Sequence, residues 1–127
     1  MPMDSKVKLA PNRLAASIID IKLFQSIIGC LLYITLGIRP DISYLVIKLA
    51  RFAANPAPEH IIAAKRVLRY LKATIDYKIN YSAAAADPGY ISGYCDADYA
   101  GDLTKAKLTI GYIFFLAGGP ISWKSKL

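Results

Sequence analysis

Histidine occurs once, tryptophan once and cysteine twice in this chain of 127 residues. With His60 alone, there is no Ser/His/Asp grouping for nucleophilic catalysis and no Cys/His spacing for zinc. Cys30 and Cys95 lie far apart, so no disulfide framework exists, and two reduced thiols are expected. No glycine-rich phosphate loop is present, and Gly118-Gly119-Pro120 reads as a tight turn. The opening MPMDSKVKLAPNR has no apolar centre of signal-peptide length. No apolar run reaches the ~18 residues that span a bilayer. The longest, Ile27 to Ile38, is interrupted by Gly29, Thr35 and Gly37 and reads as a buried helix. These absences point to a cytoplasmic or nuclear chain, not secreted and with no membrane partner.

What is present is apolar and basic. Apolar residues make up 55% and the mean hydropathy is +0.35, rich for a small domain, so part of that surface is expected to meet a partner. Sixteen Lys and Arg against nine Asp and Glu give a net charge of +7. Such a balance favours a polyanion, although a solvated surface tuned for solubility reads the same way in composition.

The pattern changes near residue 76, from helical spacing to short alternating blocks. Residues 1–22 form an extended lead-in. Residues 23–36 are apolar on nearly all sides, predicting a helix buried by its neighbours and closed by Gly37. A second helix is predicted from Pro40 to Ala54, with Ile42, Leu45, Val46, Leu49, Phe52 and Ala53 as its apolar stripe. A third is predicted from Pro58 to Thr74, with Ile61, Ala64, Leu68, Leu71 and Ile75 as its seam. Strands are expected over 78–82, 90–97, 109–117 and 121–126, with 83–89 a linker and 101–107 a polar turn. The fold class is therefore α+β: a helical segment over 23–76, then an incomplete three-stranded antiparallel meander over 77–127.

Two groups could carry function. Lys65, Arg69 and Lys72 share one face of the third helix, with Arg66 beside them. Like charges at this spacing repel by a few tenths of a kcal/mol per pair, roughly, so phosphate contact and a plain solvated face are both open readings. Asp96 and Asp98 alternate on a strand end and so share a side, with Asp102 close behind. A divalent cation such as Mg²⁺ would relieve their repulsion, but Asp is also common where a strand opens into a turn. His60, at the start of the third helix, is expected to be partly exposed. The nine tyrosines suit base stacking or cross-strand packing.

Several blocks are familiar in order. Ser26-Ile-Ile-Gly-Cys-Leu-Leu-Tyr-Ile-Thr35 resembles "SLVGSLLYLT", and Arg39-Pro-Asp-Ile-Ser-Tyr44 resembles "TRPDISY", both from copia-type retrotransposon Pol polyproteins. His60 through Thr74 is similar to "HWKAAKRVLRYLKGT", Gly93 through Asp102 to "GYSDADWAGD", and Gly111 through Lys126 to "GYVFFLGGGPISWKSK". Pro2-Met3-Asp4 fits the "TPMD" ahead of them.

The resemblance implies that the helices are the thumb-like C-terminal end of a reverse transcriptase and that the strands open an RNase H domain. That nuclease cuts the RNA of RNA–DNA hybrids with two Mg²⁺ ions. By motif position Asp96 is its first catalytic carboxylate and a metal ligand, with Asp98 a weaker ligand candidate. The basic helix, Lys65, Arg66, Arg69 and Lys72, would lie near the template–primer backbone. Implied partners are an RNA–DNA hybrid and the remainder of Pol, against which the apolar excess would pack.

The departures are equally specific. The polymerase "YVDD" and the nuclease "STEAEY" are absent. Phe24-Gln25 replaces Tyr-Arg, Ala73 replaces Gly, and Ala106–Ile110 stands where the family has "RKSTS". One catalytic aspartate cannot hold two metals. The expectation is thus a chain inactive alone, binding no metal tightly and retaining some affinity for nucleic acid. A co-opted binding module, or a nuclease completed by another chain, are the alternatives.

Overall fold

The computed structural model describes residues 8–85, 88–98 and 109–126, with the backbone alone at Asp98 and Thr109. Pro2-Met3-Asp4, the polar turn 101–107, Asp102 and most of 106–110 lie outside the described residues. The chain is α+β and divides into two compact units, residues 1–77 and 78–127.

The first unit is helical: α1 (Ile18–Gly37), a 3₁₀ turn (Pro40–Ile42), α2 (Ser43–Ala50) and α3 (Pro58–Ala73). α1 begins five residues before the expected start at 23. Ser17 is the reason: its hydroxyl accepts from the Asp20 N–H at 3.1 Å and donates to the Asp20 carboxylate at 2.8 Å. This caps the first turn and places an acid at the positive end of the dipole. Lengthened so, α1 is by length and composition a helix that could cross a bilayer. Burial follows one stripe only, Phe24, Ile28, Leu31 and Thr35. Expected burial on nearly all sides is thus corrected: within this unit α2 and α3 cover one side, leaving Ile19, Tyr33 and Leu36 exposed.

The lead-in is tethered. Asn55 Oδ1 accepts from the Ala16 N–H at 2.8 Å, its Nδ2 donates to the Leu14 carbonyl, and Asn12 Nδ2 donates to the Pro56 carbonyl at 3.0 Å. Two side-chain amides thereby satisfy backbone that has no helix or sheet to pair with.

The single helix expected over 40–54 is split. Pro40 supports a 3₁₀ turn before α2, and beyond Ala50 the bonds tighten to three-residue turns, Phe52 to Leu49 at 3.0 Å and Ala53 to Ala50 at 3.2 Å. α3 matches its expected span. Its buried line is His60, Ala64 and Val67, while Leu68 and Ile75 of the expected seam are exposed. The core joins Phe24, Ile28 and Leu31 of α1 to Ile42, Leu45, Val46 and Leu49, and to Ala64 and Val67 of α3. Fully burying one such side chain is worth about 1.5–3 kcal/mol.

The second unit is an antiparallel meander, β1 (Ser92–Asp98), β2 (Thr109–Leu116) and β3 (Gly119–Lys126), in the order β1-β2-β3. β2 and β3 are joined by a two-residue turn, Ala117 and Gly118, both at positive φ, the conformation that fits the twist of a hairpin. The turn lies one residue earlier than expected because Gly119 and Pro120 already pair with β2. Ile121 is the extra residue of a bulge between the Phe115–Pro120 and Phe114–Ser122 pairs. The strand expected over 78–82 does not form. That segment instead lies along the hairpin, Ser82 N–H donating to the Ala117 carbonyl at 2.8 Å and the Tyr81 hydroxyl to the Pro120 carbonyl. A Cβ on Gly119 would sit 2.6 Å from the Tyr81 ring, so glycine admits this crossing.

Pairing assigns the two faces of the sheet. One carries the rows Tyr94–Ile113–Trp123 and Asp96–Gly111–Ser125. The other carries Cys95–Tyr112–Lys124 and Ala97–Ile110–Lys126. Gly119 is the one buried residue among those described in this unit.

Candidate functional site

α3 positions the basic group. With 3.6 residues per turn, Lys65, Arg66, Arg69 and Lys72 fall opposite His60, Ala64 and Val67, and all four are exposed. Among the described residues no carboxylate pairs with any of them. The helix thus presents four cations along about two turns, a spacing that can track phosphates.

What fixes this helix was missed in the sequence. His60 is fully buried, not partly exposed as expected. Ala57, the residue before α3, has no side-chain acceptor to offer. His60 Nδ1 instead accepts from the Ala57 N–H at 2.8 Å, supplying half of a capping box. Its ring stacks on Phe52, centroids 4.0 Å apart. Burial pushes the imidazole below its ordinary pKa, and Glu59 opposes the shift. A histidine three residues into a proline-started helix was the available signal.

The far end of α3 is held by Arg39, itself buried. Its guanidinium donates to Asp41 at 3.0 and 2.8 Å, to the Thr74 hydroxyl at 2.7 Å and to the Thr74 carbonyl at 3.2 Å. The rings of Tyr70 and Tyr77 lie 5.5 and 5.6 Å from it. The Tyr70 hydroxyl donates to Asp41 at 2.9 Å. Hydrogen bonding to Arg39, with its charge, holds the Asp41 carboxyl below the usual range, and the bond to Asp41 raises Arg39 and Tyr70 in turn. The Arg-Pro-Asp block therefore ties the turn before α2 to the last turn of α3. Its partners, 29 and 35 residues away in sequence, carried no signal.

Asp96 lies in the second unit, exposed on β1, opposite Gly111. A Cβ at Gly111 would meet only the Lys124 carbonyl, 3.8 Å away, so the space beside the carboxylate is open. The backbone puts Asp98 two residues further along the same strand, opposite Thr109; its side chain is outside the described residues. Among the described residues no three His, Cys, Asp or Glu side chains converge. Among the described side chains, one exposed carboxylate beside Gly111 and Ser125 is not a donor set for two Mg²⁺ ions, which take several carboxylate oxygens. No step is therefore assigned to a metal.

An α+β chain with a helical unit bearing a basic face, followed by an aspartate-bearing meander, is the arrangement the Pol resemblance implies. Comparison with known proteins identifies the family. The chain is 42% identical over 104 residues to the Retrovirus-related Pol polyprotein from transposon TNT 1-94 of Nicotiana tabacum, covering 82% of this chain and 8% of that one. It is 42% identical over 103 residues to the corresponding polyprotein from transposon RE1 of Arabidopsis thaliana, covering 81% and 7%. It is also 42% identical over 103 residues to Secreted RxLR effector protein 161 of Plasmopara viticola, covering 81% of this chain and 71% of that protein. The chain belongs to the copia-type retrotransposon Pol family. It spans less than a tenth of the two Pol polyproteins named. No protein-family model matches it, and no solved structure does.

Proposed function

We propose that this chain is a Pol segment that binds nucleic acid, RNA–DNA hybrid foremost, through the exposed face of α3, and that it turns over neither polymerase nor nuclease chemistry alone. The thumb-like and RNase H-like assignments of its two units belong to the same reading, as does a place in the cytoplasm or nucleus. The observation that carries it is the set of four exposed cations, Lys65, Arg66, Arg69 and Lys72, paired with no carboxylate among the described residues, on a helix anchored at both ends by His60 and Arg39.

The test is anisotropy of a labelled RNA–DNA hybrid with the purified chain. Four phosphate contacts give a log–log salt slope of about −3.6, so affinity falls roughly a hundredfold from about 50 to 200 mM salt. Lys65→Ala with Arg69→Ala should halve that slope. Binding indifferent to salt and to both changes sinks the interface. Mg²⁺-dependent hybrid cleavage by the wild type, lost in Asp96→Asn, sinks the claim of inactivity. Cleavage seen only when another Pol segment is added favours a nuclease completed in trans, for which the open space beside Asp96 is the supporting observation.

A further inference from the structure

The sheet is charged differently on its two faces. Asp96 stands on one, with Tyr94, Ile113 and Trp123. The other carries Tyr112 and Phe114 on the central strand and Lys124 and Lys126 on β3, with no carboxylate among its described residues. Phe114 is 42% exposed and Ile110 49%. A Cβ on Gly93 would lie 2.5 Å from Phe114 Cδ1, so the ring leans over a glycine, where any other residue would push it away. Tyr112 and Phe114 are neighbouring rings, centroids 5.5 Å apart. Lys124 lies directly across from Tyr112, and Lys126 one strand step on, about 6.8 Å along β3.

We propose that this face binds single-stranded nucleic acid, its bases stacking on Tyr112 and Phe114 and its backbone running along Lys124 and Lys126. Aromatic rings alone would serve any apolar partner. Two neighbouring lysines with no carboxylate among the described residues of their face select a polyanion. Unpaired bases supply what a duplex withholds, a free π-face for each ring. The site lies on a different unit from α3 and does not depend on the function proposed for that helix.

The experiment uses the whole chain in the Lys65→Ala/Arg69→Ala background, a fluorescein-labelled dT12 and the matching duplex. The expected result is preference for the single strand. Affinity should fall about tenfold with Tyr112→Leu and about tenfold with Phe114→Leu. Lys124→Gln/Lys126→Gln should reduce the magnitude of the salt slope by about 1.4, leaving only what Arg66 and Lys72 of α3 contribute. Because the leucine variants could lose the sheet, the unaltered chain is also photocrosslinked to a 5-iodouracil oligonucleotide. Crosslinks on the peptide holding Tyr112 and Phe114 support the site. Crosslinks confined to α3, equal affinity for duplex, or unchanged binding in the glutamine variant overturn it. So does binding to phosphatidylserine vesicles, or self-association, in place of oligonucleotide binding.

Discussion

The helical unit encloses a buried core, although one side of α1 stays exposed, and the sheet unit encloses none among its described residues. In the first, Phe24, Leu31, Ile42, Val46, Leu49, Ala64 and Val67 are fully buried, and two polar anchors, His60 and Arg39, are buried with them. In the second, each of the two ladders runs through seven residue pairs, the β2–β3 ladder with one bulge, yet aromatic residues stand open on both faces. Backbone pairing sets the shape of a sheet; removing side chains from water supplies most of its stability. The comparison teaches that the two halves answer to different forces, and that the sheet's function and its stability both turn on what covers it.

The largest expected effect breaks the helical core. Phe24→Ala should cost about 3–5 kcal/mol and abolish its cooperative melt followed by circular dichroism at helical wavelengths. The equivalent change on the sheet, Phe115→Ala, should cost only about 1 kcal/mol. Equal losses would show that the two cores are not different in kind. Next comes Arg39→Met, which leaves Asp41 without its cation and frees the end of α3, at about 2–3 kcal/mol, since Asp41 is partly exposed. Arg39→Lys should not restore it, because the fork that meets both Asp41 and Thr74 is lost; full rescue by lysine would mean that charge alone mattered.

Acid should act on the helical unit in two stages. His60 has its folded pKa lowered, so the neutral ring's stabilising contribution is complete above the ordinary value of 6.5 and is lost as pH falls below it. Protonation also removes the lone pair that accepts from Ala57. His60→Gln should flatten stability between about pH 8 and 5, and an unchanged slope in urea melts would remove His60 from the account. Asp41, also lowered, contributes above the ordinary 3.8 and loses that contribution as pH falls through the carboxylate range. The smallest effect is expected from Gly93→Ala. It should shift Phe114 at a cost of about 1 kcal/mol and alter the near-ultraviolet aromatic signal of the sheet while leaving the helical unit untouched.

Much of this was legible beforehand. The α+β class, α3 from its proline start, and the three-strand order followed from periodicity and turn residues. The four cations of α3 could be placed on one face because helical spacing alone decides it. Other features were not legible, each for a physical reason. Ser17 and Asp20 extended α1 through a cap that hydropathy does not register. The stretch over 78–82 has strand-like composition, but it crosses Gly119 and forms no strand. Leu68 and Ile75 keep helical spacing yet stay exposed, because α1 and α2 cover only the side of α3 that carries Ala64 and Val67.

The sequence by itself determined the family, the basic face of α3, the alternation that sets Asp96 apart from Cys95, and the antiparallel order of the strands. These depend on local periodicity and on motif order, both carried by near neighbours in the chain. Only the tertiary structure decided that His60 is buried as a cap, that Arg39 reaches Thr74, and that Tyr112 and Phe114 share a face with Lys124 and Lys126. Each of those joins residues from separate elements, or depends on what lies above a side chain, and such relations exist only once the chain has folded.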